Sequence, residues 1–266
     1  MKTIILVLLS TLMPAVALAD WETNMPRGVT PTSVAAYDLH MLIFYITVII
    51  GIVVFGVMLY SIVHHRKSKG YQAATFHEST KVEIIWTVIP FLILVGMAIP
   101  ATKTLIMMED TRNSEITLKV TGYQWMWKYE YLEDDVAFFS KIDEESNKAR
   151  RLNSSINVNK VDHYLRNVDN PVVLPTNTKI RILLTANDVL HAWWVPELGG
   201  KKDAIPGYIN EMWIEIKKTG VYRGQCAELC GKDHAFMPIV VKAVPKSEYH
   251  KWVSIQKDNR MATKEN

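Results

Sequence analysis

Two cysteines, Cys226 and Cys230, stand in the string Cys-Ala-Glu-Leu-Cys-Gly and are the only ones in the chain. His234 and Met237 follow shortly after them, and His191 lies upstream in Asp-Val-Leu-His-Ala-Trp-Trp-Val-Pro. Taken alone, two cysteines outside the cytoplasm default to a disulfide. Their neighbours favour a metal instead. Thiolates and a thioether are soft donors that suit copper, and imidazole tolerates it. Zinc would not need the methionine, and an iron–sulfur cluster would want more thiolates. A mononuclear blue-copper site uses one Cys with two His and a Met. The second Cys allows a second copper, with both sulfurs as bridges. In such a pair the charge change of one electron is spread over two metals, so bonds and solvent rearrange little. No coordination position stays open, which suits electron transfer and not catalysis on a substrate.

These residues need a rigid frame and an address. The chain has 266 residues and a formal net charge of +3, with room for one or two domains. It has no basic stripe with interleaved aromatics, so nucleic-acid binding is set aside. Residues 1–19 read as a secretory signal: Lys2, an apolar run too short to span a bilayer, then Ala17-Leu18-Ala19 as a small-x-small cleavage pattern. Residues 20–37 form a segment outside the cytoplasm. Residues 38–107 form a helical hairpin with spans at about 39–63 and 84–106. Its two uncharged runs, 41–63 and 84–102, are each long enough to cross the hydrocarbon. The loop between them carries His64-His65-Arg66-Lys67, Lys69 and Lys81, which the positive-inside rule places in the cytoplasm. Both ends then face the other side, the periplasm of a bacterium, with the spans in the inner membrane and in contact with its lipid. Pro90 and Pro100 point to a second helix packed against other helices. Glu83 reads first as a snorkelling residue at the head of that span.

Beyond the hairpin the hydrophobic period changes to two. Ile116, Leu118 and Val120 share a face, as do Met212, Ile214 and Ile216; 172–174, 179–184 and 239–244 are rich in β-branched residues between turn signals. Several short strands of this kind predict a Greek-key β-sandwich over 108–245. Residues 133–170, dense in mixed charge, read as a solvated excursion with room for a short helix. The tail, 246–266, fits a short amphipathic helix around 246–256.

The string Gly-Gln-Cys-Ala-Glu-Leu-Cys-Gly with His234 and Met237 resembles subunit II of cytochrome c oxidase. So do Asp-Val-Leu-His-Ala-Trp-Trp-Val-Pro, Lys-Asp-Ala-Ile-Pro-Gly (202–207), Gly-Tyr-Gln-Trp-Met-Trp-Lys-Tyr-Glu-Tyr (122–131) and Val-Glu-Ile-Ile-Trp-Thr-Val-Ile-Pro (82–90). The resemblance runs from the first span to about residue 245. It implies a two-helix transmembrane hairpin followed by an all-β cupredoxin-like sandwich with a binuclear copper centre. Cys226 and Cys230 would bridge the coppers. His191 and Met237 would complete one, and His234 with the backbone carbonyl of Glu228 the other. The Glu228 side chain would hold magnesium at the boundary with subunit I. Trp125 would receive electrons from cytochrome c, and Asp188 would lie on the face where that basic donor docks. Glu83 would stand at the cytoplasmic mouth of a proton route, which overrides its reading as a snorkelling residue. The electrons would pass to the haem of subunit I for reduction of oxygen to water with proton pumping; subunit III is a further expected partner.

Met126 stands where mitochondrial members usually carry Tyr, and the excursion at 133–170 is longer than theirs. The chain has no Cys-x-x-Cys-His and so no covalent haem site. A quinol-oxidase counterpart would lack the ligands. A nitrous oxide reductase would need a propeller for which there is no room. A membrane-anchored copper carrier would bind copper without an oxidase. His40, His64, His65, His77, His163 and His250 have no partners at ligand spacing and read as surface or interface residues.

Overall fold

The computed structural model describes residues 24–264, and side chains as far as 258. The expected signal segment, 1–19, lies outside the described residues.

Two long helices come first: α1, Pro31–His64, and α2, Thr80–Glu109. Their apolar windows have mean hydropathies of 2.9 and 2.3, and none of either window is buried inside the protein. A helix apolar on all sides and exposed on all sides is built for lipid. Helix α2, with 30 residues, is about 45 Å long and so outreaches a hydrocarbon core of about 30 Å. Pro90 and Pro100 lie within it.

Helix α1 starts earlier than the spans drawn from hydropathy. Thr30 caps it, with a reciprocal bond from Ser33 in a capping box and Pro31 at the first position. The Thr30 hydroxyl also donates to the Leu198 carbonyl at 2.9 Å, so the first turn is docked on the following domain. Helix α2 ends against the same domain: the Trp213 indole donates to the Met107 carbonyl at 2.9 Å, and the Lys179 ammonium to the Asp110 carbonyl at 2.7 Å.

The remainder is a sandwich of two five-stranded sheets. The strands are β1 Ile116–Tyr123, β2 Met126–Tyr131, β3 Val136–Ser140, β4 Val172–Pro175, β5 Ile180–Ala186, β6 His191–Val195, β7 Gly200–Ala204, β8 Asn210–Ile214, β9 Gly220–Cys226 and β10 Pro238–Val244. One sheet has the order β3-β2-β1-β5-β8 and the other β4-β10-β9-β6-β7. Alternation does what the period-two pattern predicts: along β5 every second residue, Ile180, Ile182, Leu184 and Ala186, is buried. Trp127, Tyr129 and Tyr131 point inward from β2, each at most 1% exposed. The Tyr131 hydroxyl donates to the Val173 carbonyl at 2.9 Å and accepts from the Val173 amide at 3.1 Å, which ties the two sheets together.

The charged excursion is more ordered than its composition predicts. It contains β3, which pairs with β2 from Trp127↔Ser140 to Tyr131↔Val136. It also holds a short helix, α3, Glu144–Ala149, capped by Asp143, whose side chain accepts from the Ser146 amide at 2.9 Å. The C-terminal helix α4, Lys246–Lys264, is longer than the 246–256 expected. Tyr249 and Val253 are buried at its i and i+4 positions, and Trp252 packs on Tyr131 with ring centroids 5.2 Å apart.

Candidate metal centre

The site lies at one end of the sheet that contains β9, β6 and β10. Cys226 is the last residue of β9 and His191 the first of β6. Register places Trp193 opposite Cys226, and the Cys226 amide donates to the Met237 carbonyl at 3.1 Å just before β10 begins. Three strand ends thus fix Cys226, His191 and Met237, exposed to 5%, 0% and 1%. Cys230 and His234 come from the intervening loop. Its tight turns include Gly231 at φ +118°, where a side chain is strained, and a 3-10 turn over His234–Phe236.

The two cysteines are free, with sulfurs 3.9 Å apart, far beyond a bonded pair at about 2 Å. Cys226 Sγ lies 3.9 Å from His191 Nδ1 and 3.4 Å from the Glu228 carbonyl, while Cys230 Sγ lies 3.5 Å from His234 Nδ1. The donor atoms of His191, Cys226 and Cys230 all fall within 4.8 Å of one another. Donors on one ion with bonds of about 2.0–2.3 Å stand up to about 4.6 Å apart. The sulfur–sulfur and sulfur–imidazole spacings therefore fit metal bridged by two thiolates, with one imidazole on each side. Met237 is buried one residue before β10, and the carbonyl of Glu228 already faces a thiol. The Glu228 side chain is half-buried.

The surroundings tune these donors. Asp188 accepts from His191 Nε2 at 2.9 Å, which leaves Nδ1 turned toward Cys226. The same carboxylate accepts from the amides of Gln124 and Val189, both at 2.7 Å. Burial works against its charge, yet these bonds hold the Asp188 carboxyl below the usual range. Burial likewise opposes a charged His191, but its contacts with Cys226 and Asp188 raise its pKa. Burial would raise the Cys226 thiol; bonds from His191 and from nearby backbone groups bring it down instead. Burial and the neighbouring Cys226 push the Cys230 thiol up. The metal-free pair thus favours a single negative charge, held on the Cys226 side.

Trp125 is half-buried and its indole donates to the Cys230 carbonyl at 3.1 Å; Gln124 Nε2 donates to the same oxygen at 2.9 Å. Lys232 lies 5.6 Å above the Trp125 ring. The expected metal residues and Trp125 and Asp188 are therefore in one place. Glu83 is not among them: it sits in the first turn of α2, exposed, at the far end of the hairpin.

Sequence reasoning missed Gly122 and Gln124. A Cβ on Gly122 would lie 2.7 Å from His191 Cδ2, so the imidazole lies against bare backbone. The signal was a glycine inside a strand otherwise rich in β formers, a mark of close approach.

The chain resembles known proteins along most of its length. Residues 116–244 match the family model of the cytochrome c oxidase subunit II periplasmic domain, and 18–104 that of the subunit II transmembrane domain. A probable cytochrome c oxidase subunit 2 of Rickettsia prowazekii is 36% identical over 244 residues, covering 92% of this chain and 75% of the relative. Cytochrome c oxidase subunit 2 of Arabidopsis thaliana is 38% identical over 254 residues, covering 92% and 94%. The crystal structure of the periplasmic domain of subunit II of cytochrome oxidase of Bradyrhizobium japonicum has 41% identity and a TM-score of 0.48, covering 56% of this chain and 98% of that one.

Proposed function

Since this chain belongs to the cytochrome c oxidase subunit II family, a membrane-embedded subunit of a terminal oxidase, we propose that its six clustered donors hold two coppers. Cys226 and Cys230 would serve both coppers; His191 and Met237 would complete the set of one, and His234 and the Glu228 carbonyl that of the other. When bound, the pair supplies a one-electron acceptor of low reorganisation. The observation that carries this reading is the pair of unbonded sulfurs, 3.9 Å apart, each with an imidazole nitrogen within 3.9 Å.

The protein's own residues do the rest. The sheet of β9, β6 and β10 fixes Cys226, His191 and Met237 so that they barely move when charge changes. Burial excludes water from them. Trp125, hydrogen-bonded to the Cys230 carbonyl, links the outer surface to a thiolate and is the electron-receiving residue for cytochrome c. Asp188 joins its docking role to that of holding His191; rim charges of this kind steer encounter more than they add affinity.

In the assembled oxidase, subunit I would take the electrons onward to haem for the reduction of oxygen. The half-buried Glu228 side chain is assigned magnesium at that boundary, in keeping with hard oxygen ligation. Glu83 is assigned to the mouth of a proton route in subunit I. Its position at the head of α2, at the cytoplasmic edge set by the loop charges, supports this. The β domain and both termini lie on the periplasmic side of a bacterial inner membrane, and subunit III completes the expected partners.

Paramagnetic resonance of the purified oxidase complex tests the ligand assignment. The expected spectrum shows one unpaired electron shared by two coppers. A single-copper spectrum, or a Cys226–Cys230 disulfide in the native complex, would overturn it.

A further inference from the structure

The charged excursion at 133–170 has no part in the ligand set, yet one of its residues reaches that loop. Arg150, at the C-terminal end of α3, places Nη1 3.1 Å and Nη2 3.4 Å from the two oxygens of Asp233. Asp233 immediately precedes His234. The same guanidinium lies 4.2 Å above the ring of Phe236. One side chain therefore grips the 3-10 turn His234–Phe236 from both ends, by a two-pronged ion pair and a cation–π contact.

The grip is prepared in advance. Arg150 Nε donates to Asn147 Oδ1 at 2.8 Å, which fixes the plane of the guanidinium. The helix that carries it is capped by Asp143 and tied to the rest of the excursion by Ser146, whose hydroxyl accepts from the Leu165 amide at 3.1 Å. The Arg150 and Asp233 side chains are only 23% and 26% exposed, so solvent screening is reduced. Asp233 is the residue before a short helical turn, where an Asp ordinarily bonds a backbone amide of that turn. Here it makes no such bond and faces Arg150 instead. The turn's own support is slight: His234 N to the Gly231 carbonyl at 3.2 Å, and Phe236 N to the Asp233 carbonyl at 2.9 Å.

We propose that Arg150 is a positioning residue for His234, and that the excursion serves as a brace for the loop half of the metal centre. The proposal rests on the reading of His234 as a ligand. A planar fork matters here: Lys would keep the charge but not the paired bonds or the stacking.

The test uses the full chain in the purified oxidase complex, with the variants Arg150→Gln, Arg150→Lys and Asp233→Asn. Loss of copper to a chelator, the hyperfine pattern, amide hydrogen exchange at His234 and Phe236, and thermal unfolding are measured. Arg150→Gln is expected to lose copper about fivefold faster, the scale of a partly exposed ion pair. Exchange at His234 and Phe236 rises, while exchange in β6 and the unfolding midpoint stay unchanged. Arg150→Lys recovers part of the loss. Asp233→Asn reproduces Arg150→Gln, and joining the two adds nothing further. If Arg150→Gln does not assemble, Asp233→Asn is read alone against the same scale. Copper retention, hyperfine pattern and local exchange all equal to the unaltered complex would overturn the brace. A failure of the ligand reading is seen separately, as the lack of a two-copper signal in the unaltered complex.

Discussion

His191 and His234 flank the same two thiols, but the protein holds them by different means. His191 begins a strand that pairs on both sides, is fully buried, and meets Asp188, Trp127 and the bare backbone of Gly122. His234 begins a three-residue turn in a loop, half-buried, and its neighbours are tied back by Arg150. One half of the centre is positioned by the sandwich core and the other by surface chemistry. Local opening is easiest where buried apolar contacts are few. The difference teaches that the strand half sets whether the site exists, and the loop half sets how firmly it holds.

The sharpest way to break this contrast is Gly122→Val. The Cβ alone would sit 2.7 Å from His191 Cδ2 and 2.9 Å from Cγ, with no flexible side-chain end to yield. Overpacking of this kind costs about 1–3 kcal/mol. The expected outcome is a displaced imidazole: a lower unfolding midpoint and loss of the two-copper spectrum, read by thermal melts and paramagnetic resonance. A normal spectrum would show that the strand half tolerates misplacement. Asp188→Asn is the milder cut on the same side. It removes the charge that orients His191 and leaves one acceptor oxygen, whereas the amides of Gln124 and Val189 use one carboxylate oxygen each. Loss of such an outer partner typically weakens metal affinity about 10–100-fold. Competition with a chelator of known affinity measures it.

The two halves also differ in how far the sequence disclosed them. Cys226, Cys230, His234 and Met237 stood out as candidate donors because soft ligand types at close spacing carry chemistry on their face, and His191 stood out upstream in its own motif. Strands β1 and β8 were legible because they alternate, β4, β5 and β10 because they are rich in β-branched residues between turn signals, and the hairpin because its uncharged runs are long. Strands β6, β7 and β9 were not marked out. The first carries His191, Ala192, Trp193, Trp194 and Val195, almost wholly buried, so no alternation survives; the second is Gly-Lys-Lys-Asp-Ala and looks like loop. Strand β3 hid in a charged stretch for the same reason, since its pairing with β2 and not its own pattern makes it a strand. Arg150 was invisible because its value lies in a contact with Asp233, far along the chain, and one arginine among many charges has no local signature.

Proton release should separate the two sulfurs. In metal-free protein the Cys226 thiol, though buried, is brought down to about 7 by its bonds with His191 and backbone groups, whereas Cys230 is pushed up by burial and by its neighbour. The thiolate forms above the midpoint, so one sulfur, on the strand side, is charged at and above neutral pH. Copper requires deprotonated sulfur. Uptake is therefore expected to slow as pH falls through about 7, and the second proton to leave only on metal binding. Thiolate ultraviolet absorbance of the metal-free full chain follows the first step; His191→Asn should move its midpoint upward, toward the ordinary thiol value. An unmoved midpoint would mean that His191 does not set it.

The smallest effect belongs to Phe236→Leu, and it tests the loop half alone. Leucine keeps most of the apolar bulk of a half-buried side chain while removing the ring that faces Arg150 at 4.2 Å. A cation–π contact at such a site is worth about 0.5–1 kcal/mol. The ion pair with Asp233 remains, so the brace loosens without releasing. Copper loss to a chelator should quicken about two- to fivefold, with melting and the strand-side exchange pattern unchanged. The contrast between the halves predicts this separation: a change in the turn alters retention without altering fold, whereas Gly122→Val alters both. If Phe236→Leu lowered the unfolding midpoint as much as Gly122→Val, the loop would be part of the core's cooperative unit and the two halves would not be distinct.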